Sequence, residues 1–444
     1  RTNDEESDGV VISGNGIATD SNNHRAGLRI NNGSTANVDF VKIIGNGRGI
    51  EVRDNSILKG GWSASESSAL TYGIIIKDNK REGLRIQNNS TAHVDYVQVE
   101  NNAVDEVTDH GNTWRDDAIE VRDSSVLDMD RSRIANNKDS ILRVSGKSYA
   151  HFYDIEIDAN AGDTAIRVDS SELEISGANL DDDDADVYPN PVVISGHETG
   201  IRASNGSRLE LQRVEVNSNT HRGIQVCENS ILNVWSGGLV LKQNGLDHDG
   251  WDGYGPALEI ERNSSATVDR LTVEGNGRGI RVTRGSTLSG GWNGDVSQED
   301  YGITIVDNVK WGIEVQDNSN LDIAKVKVSG NGETPNIDTD DNDIHYETAI
   351  RISDGSSASI NEGIIKNNFG GGLSLYHNAQ LDLYNLTVDS NGLSEGTYGV
   401  NGGINIADNA HLNLNLVTIS NNGNSGLQVE GNSKAHLNET TVSG

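Results

Sequence analysis

The sequence is short of almost everything that fills a thick globular core. Among 444 residues it holds three Phe, one Met, four Pro and one Cys. The lone Cys227 excludes an intramolecular disulfide, leaves the redox compartment unfixed, and reads as a small filler or a turn residue. Basic residues are scarce beside acidic ones, 35 against 67, for a formal net charge of -32. That balance excludes a duplex nucleic-acid binder, which needs a basic footprint to displace counterions. It also argues against anionic membrane surfaces. No apolar run approaches the roughly 20 residues of a membrane span, and the N-terminus carries no basic and apolar signal segment. No nucleic acid and no membrane insertion are therefore expected.

What is present is a repeat. From Leu28, apolar residues fall at Leu28 and Ile30, then Ala36 and Val38, then Val41 and Ile43, with Gly33 and Ser34 between the first two pairs and Asn46 closing. The same offsets recur from Leu84 and from Leu258. Fifteen such starts follow one another: Leu28, Ile50, Leu84, Ile119, Leu142, Ile166, Ile201, Ile224, Leu258, Ile280, Ile313, Ile350, Leu373, Ile404 and Leu427. A one-residue gap inside each pair is the period of a short strand with one buried face. Gly, Asn, Ser and Asp in the breaks tolerate left-handed backbone or bond their own backbone, so the chain turns there. Neither a leucine-rich repeat nor a left-handed hexapeptide helix fits this period. The pattern predicts an all-β solenoid of about 15 coils with three short parallel sheets, spanning residues 1–444 as one stack.

In these features the chain resembles the right-handed parallel β-helix, or pectin-lyase-like, superfamily, from about Val10 to Val442. The resemblance implies a ladder of stacked corner asparagines: Asn46, Asn79, Asn102, Asn137, Asn160, Asn219, Asn244, Asn276, Asn308, Asn331, Asn368, Asn391 and Asn422. Many members of that superfamily are polysaccharide lyases, hydrolases or epimerases. No DPHE-type epimerase motif occurs here, and no lyase arrangement of calcium aspartates with an arginine, so no catalytic residue is carried over.

Longer coils carry insertions at two corners. Residues 59–73, 177–191 and 289–302 precede a third strand; residues 103–117, 245–257, 332–348 and 392–403 follow a ladder Asn. Aromatic residues gather there, and Trp62, Tyr72, Trp114, Trp251, Tyr254, Trp292 and Tyr301 are the expected ligand or contact positions. Two insertions are dense in aspartate: Asp181, Asp182, Asp183, Asp184 and Asp186 in one, Asp338, Asp340, Asp341 and Asp343 in the other. Crowded loop carboxylates are the oxygen donors calcium takes, so calcium is the cofactor expected if any is bound. Two sets of carboxylates beside aromatic rings are suited to a sugar: Asp249 and Asp252 by Trp251, and Asp109, Asp116 and Asp117 by Trp114.

A longer duplication matches residues 12–122 with 242–354; GRGIEVRDNSILKGGW from Gly47 is echoed by GRGIRVTRGSTLSGGW from Gly277. Both ends fall inside the repeat, which predicts that another copy or the rest of a longer chain covers them. These observations favour an extracellular or cell-surface structural or adhesive protein, able to form filaments, over an enzyme. The alternative is a polysaccharide-active enzyme or a phage-type glycan-binding β-helix.

Overall fold

The computed structural model describes residues 10–16, 25–61, 72–109, 112–114, 116–158, 160, 162–177, 191–235, 237–247, 253–292, 300–333, 336–337, 344–392 and 402–444; for 107–109, 112–114, 336–337 and 344–345 it describes backbone alone. They belong to two units, Arg1–Glu215 and Val216–Gly444. Among the described residues there is no helix.

In the first unit the coil starts stand side by side. Leu28, Ile50, Leu84, Ile119, Leu142, Ile166 and Ile201 are successive partners in one parallel sheet. A second parallel sheet runs from Thr35–Val38 to Arg208–Gln212, and a third from Val10–Ser13 to Glu156–Asp158. The second unit repeats the plan: Ile224, Leu258, Ile280, Ile313, Ile350, Leu373, Ile404 and Leu427 are likewise successive partners. Three of its coils fuse the second and third strands into ten-residue strands, Asn320–Ser329, Ser357–Lys366 and Gln380–Asp389.

Three faces of inward Ile, Leu, Val and Ala fill each unit. Ile43, Ile50, Leu58, Ile76 and Ile86 are 0–1% exposed, and the sole Met129 lies opposite Phe152 on the next coil. Cys227 is buried as filler. Such a thin core needs little aromatic bulk, which accounts for the shortage of Phe and Met.

Two ladders hold the corners. The backbone N–H of Asn46 donates to Asn79 Oδ1 at 2.9 Å, and its Nδ2 donates to Ile12 O at 3.0 Å. The pattern continues through Asn79, Asn102, Asn137 and Asn160 in the first unit, and from Asn219 to Asn422 in the second. Each buried amide thus finds the partners that burial demands. The opposite corner carries a serine ladder that the pairwise pattern did not reveal. The backbone N–H of Ser56 donates to Ser90 Oγ, Ser90 to Ser125, Ser125 to Ser148, and Ser264 to Ser286 in the second unit.

The corner between second and third strands departs from the expected small polar residues. Phe40, Tyr96, Arg131, Arg213, Lys325 and Leu416 sit there with φ of 42–57°. A left-handed residue with a side chain costs about 1–2 kcal/mol. Continuous ladders on both sides, as in Tyr96 N–H to Asp130 O at 3.2 Å, offset that strain.

Candidate functional site: a cationic furrow on the second unit

Along each first-sheet strand of the second unit the coil start and the residue two further on point inward, so the residue between them faces out. In register, that outward row reads Gln225, Glu259, Arg281, Glu314, Arg351, Ser374 and Asn405. Neighbouring coils are ~4.8 Å apart, so opposite charges alternate within reach of one another. Arg281 lies 3.4 Å from Glu259 and 3.3 Å from Glu314. Arg222 donates to Glu259 at 2.8 Å, and Glu261 accepts from Gln225 Nε2 at 3.0 Å and from Arg284 at 2.8 Å. Glu259, Glu261 and Glu314 are buried, 3–6% exposed. Their arginines lie over them with side chains 30–55% exposed.

Arg222, Gln225, Glu259, Glu261, Arg281 and Arg284 border a cavity of about 620 Å³. Arg222, Arg262, Arg278, Arg281 and Arg284 line it against only Glu259 and Glu261, with His221 and Tyr254 at its side. Beside it, the Trp311 indole is a plate between two guanidinium groups, Arg278 at 4.9 Å and Arg351 at 5.7 Å from the ring centre. Lys310 Nζ stands 5.9 Å from the Tyr254 ring centre.

Burial sets the proton affinities here. It lowers that of Lys310, against the pull of Glu347. It raises those of Glu314 and Tyr376, the former opposed by Arg281 and Arg351. Desolvated titratable groups gathered beside a concave surface mark a candidate site. Chemically, the furrow offers guanidinium forks for carboxylate or sulfate groups and aromatic faces for sugar rings.

Of the seven aromatic contact positions, Tyr254 lines the furrow. Tyr72 and Tyr301 are half-buried in the third-strand insertions, and Trp292 is 48% exposed. Trp62 and Trp251 lie outside the described residues, as does the side chain of Trp114, whose backbone closes an antiparallel hairpin with Val107. All nine aspartates assigned to calcium, Asp181 to Asp184, Asp186, Asp338, Asp340, Asp341 and Asp343, also lie outside the described residues, together with Asp249 and Asp252. In the first unit, Asp116 pairs with Arg81, and Asp117 is buried, its carboxyl pushed up to about 7 by desolvation. The sequence reading did not single out the furrow arginines, Glu314, Lys310 or Trp311. The signal was there: charge alternates one residue after the successive coil starts Leu258, Ile280, Ile313 and Ile350.

Comparisons with known proteins bear on the fold. Residues 104–293 match the family model described as right handed beta helix region. No curated protein matches the chain. Among solved structures, a double mutant of the periplasmic alginate epimerase AlgG is similar over 92% of this chain and 78% of its own, at 11% identity and a TM-score of 0.42. The A-module of an Azotobacter vinelandii mannuronan C-5 epimerase is similar over 92% and 90%, at 11% identity and 0.35. A Yersinia enterocolitica family 28 exopolygalacturonase is similar over 98% and 78%, at 9% identity and 0.20. Likenesses this distant carry no argument about activity. The family match over residues 104–293 and the in-register coils show the fold of a right-handed parallel β-helix.

Proposed function

We propose that the chain works outside the cytoplasm as a β-helix that holds an anionic polysaccharide along the cationic furrow of its second unit. One observation carries this reading: five arginines against two glutamates line a furrow in a chain of net charge -32. Positive potential confined to one concavity on an acidic molecule selects a polyanion and orients its approach. Guanidinium forks suit carboxylates, and the Tyr254 ring at the side of the furrow gives the sugar an apolar surface. This reading is nearer to the sequence's alternative, a glycan-binding β-helix, than to its structural or adhesive one. The test is binding of polygalacturonate and alginate fragments by calorimetry at low and high salt, with neutral glucans as the contrast. The double variant Arg278→Ala, Arg284→Ala is expected to weaken polyuronate binding by about ten-fold or more, on the order of two lost charge-assisted contacts. Equal affinity for neutral and acidic chains, or an unchanged double variant, overturns the reading.

A second reading, a polysaccharide-modifying enzyme, is favoured by Lys310. Burial lowers the proton affinity of its amine and so favours the neutral form that can accept a proton, and Arg278 stands nearby to neutralise a substrate carboxylate. Elimination at a uronate would move the C5 proton to the amine, form a C4–C5 double bond and expel the C4 oxygen. The expected outcome is binding without cleavage. An unsaturated product that disappears in Lys310→Met would replace it with the enzyme.

A further inference from the structure

On the outer face of the second sheet of the first unit, His93, Asp128, His151 and Glu174 are successive partners on four coils. Asp130 is the next outward residue on the strand of Asp128. One ligand atom each from Asp128, Asp130 and His151 lies within 4.8 Å of the others. His151 Nδ1 is 2.8 Å from one oxygen of Asp128, and His93 Nδ1 is 3.5 Å from the other. Asp130 Oδ1 is buried and has no hydrogen-bond partner among the described residues. The nearby cation, Arg131, is engaged by the neighbouring carboxylate, Asp95, with its Nε 3.1 Å from Oδ1.

A buried carboxylate oxygen without a donor calls for a proton or a cation. The donors here sit on adjacent strands whose register fixes their spacing. The set is mixed: imidazole suits zinc and its neighbours in the first transition row, whereas calcium takes oxygen alone. Three protein ligands with an open position toward solvent is a familiar zinc arrangement. We propose that Asp128, Asp130 and His151 form a zinc site on the first unit, with His93 positioning Asp128 from the far side. Such a site staples adjacent coils and is independent of the furrow.

The second unit supplies an internal control. His377 has Asp354 3.0 Å from Nδ1 and Asp408 3.4 Å from Nε2, so each ring nitrogen already faces its own carboxylate. Among the described residues, that bridge gathers no third donor about a common point.

The test is titration of the full chain, stripped of metal by chelator, with zinc ions at neutral pH. Calorimetry gives the affinity, cobalt absorption the geometry and thermal melting the stabilisation. The expected result is one site whose affinity falls by more than about ten-fold in Asp128→Asn and His151→Gln, a loss that even second-layer groups produce. His377→Gln should bind like the parent, and zinc should raise the melting temperature of the parent by mass action. If His151→Gln loses its β circular dichroism, Asp130→Asn carries the same comparison. No binding up to millimolar zinc, undiminished binding in the site variants, loss in His377→Gln instead, or calcium binding more tightly at these residues would each overturn the proposal.

Discussion

The first sheets of the two units carry the same alternation of Arg and Glu but differ in how far those side chains reach into solvent. In the first unit, Arg48 lies 2.7 Å from Glu82, and Arg85 lies 3.0 Å from Glu82 and 2.9 Å from Glu120, with all four side chains 3–15% exposed. Charges closed on one another in this way have little left for a ligand. In the second unit the glutamates are as deeply sunk, but Arg222, Arg281 and Arg284 keep 30–55% of their side chains in solvent. Each of these carboxylates meets two arginines in either unit; what differs is how far the arginine side chains reach into solvent. A repeat scaffold can therefore vary the exposure of its ion-pair ladder without altering its coil.

The largest expected effect tests whether the two scaffolds really are equivalent. Gly60 and Gly290 have φ of 144° and 141°, and a Cβ on either would stand 2.0 Å from the carbonyl oxygen of the preceding coil, Val38 or Val268. Gly60→Ala and Gly290→Ala should each destabilise by at least about 4 kcal/mol, since steric overlap adds to backbone strain. Denaturant melts of both variants would check this. A loss at one position only would break the equivalence on which the comparison stands.

Next in size is a pH response confined to the closed face. Burial raises the Asp117 carboxyl from 3.8 to about 7, with Arg167 and Arg143 pulling the other way and Asp139 reinforcing the rise. The folded state then holds a proton that the unfolded chain has released, so this contribution is full below pH ~4 and is lost as pH rises through about 7. Asp117→Asn should flatten that slope and stabilise the protein above pH ~7, by on the order of 2 kcal/mol once local relaxation around the charged carboxylate is allowed for. On the open face, Glu314 is raised by burial but held back by Arg281 and Arg351, so Glu314→Gln should change the slope less. Thermal melts from pH 4 to 9 separate the two, and equal slopes would erase the distinction.

Much of this architecture was legible in the sequence because a coil imposes its period on whatever occupies it. Leu28, Ile50 and Leu84 are strand partners in the order their spacing predicts, and the asparagines read as a ladder bond as one. Corners filled by Phe40 or Tyr96 were not legible, since a single strained residue between two ladders needs no particular side chain. The furrow was hidden for another reason. In the insertions Trp and Asp stand out by type, whereas Arg281 and Glu314 stand out only once the coils are stacked in register. Burial of Asp117 and the orphaned oxygen of Asp130 depend on three-dimensional crowding that no spacing encodes.

The smallest expected effect separates stability from recognition at one pair of arginines. Arg262 pairs with Glu228 at 2.9 Å, both partly exposed, and also lines the furrow. Arg208, half exposed on the second sheet of the first unit, pairs with Glu172 and Glu210. Exposed ion pairs are worth about 0–1 kcal/mol, so Arg262→Ala and Arg208→Ala should melt within that range of the parent. Their binding should diverge. Arg262→Ala removes one cation from the furrow and should weaken polyuronate binding about five-fold, on the order of 1 kcal/mol, at low salt. That difference should shrink as added salt shortens the Debye length toward ~3 Å at 1 M, because the charge sits at the solvent rim. Arg208→Ala should bind like the parent at every salt concentration. Calorimetric titrations of the two variants at two ionic strengths decide the matter: equal losses of affinity would mean that net charge, and not the furrow, recruits the polyanion.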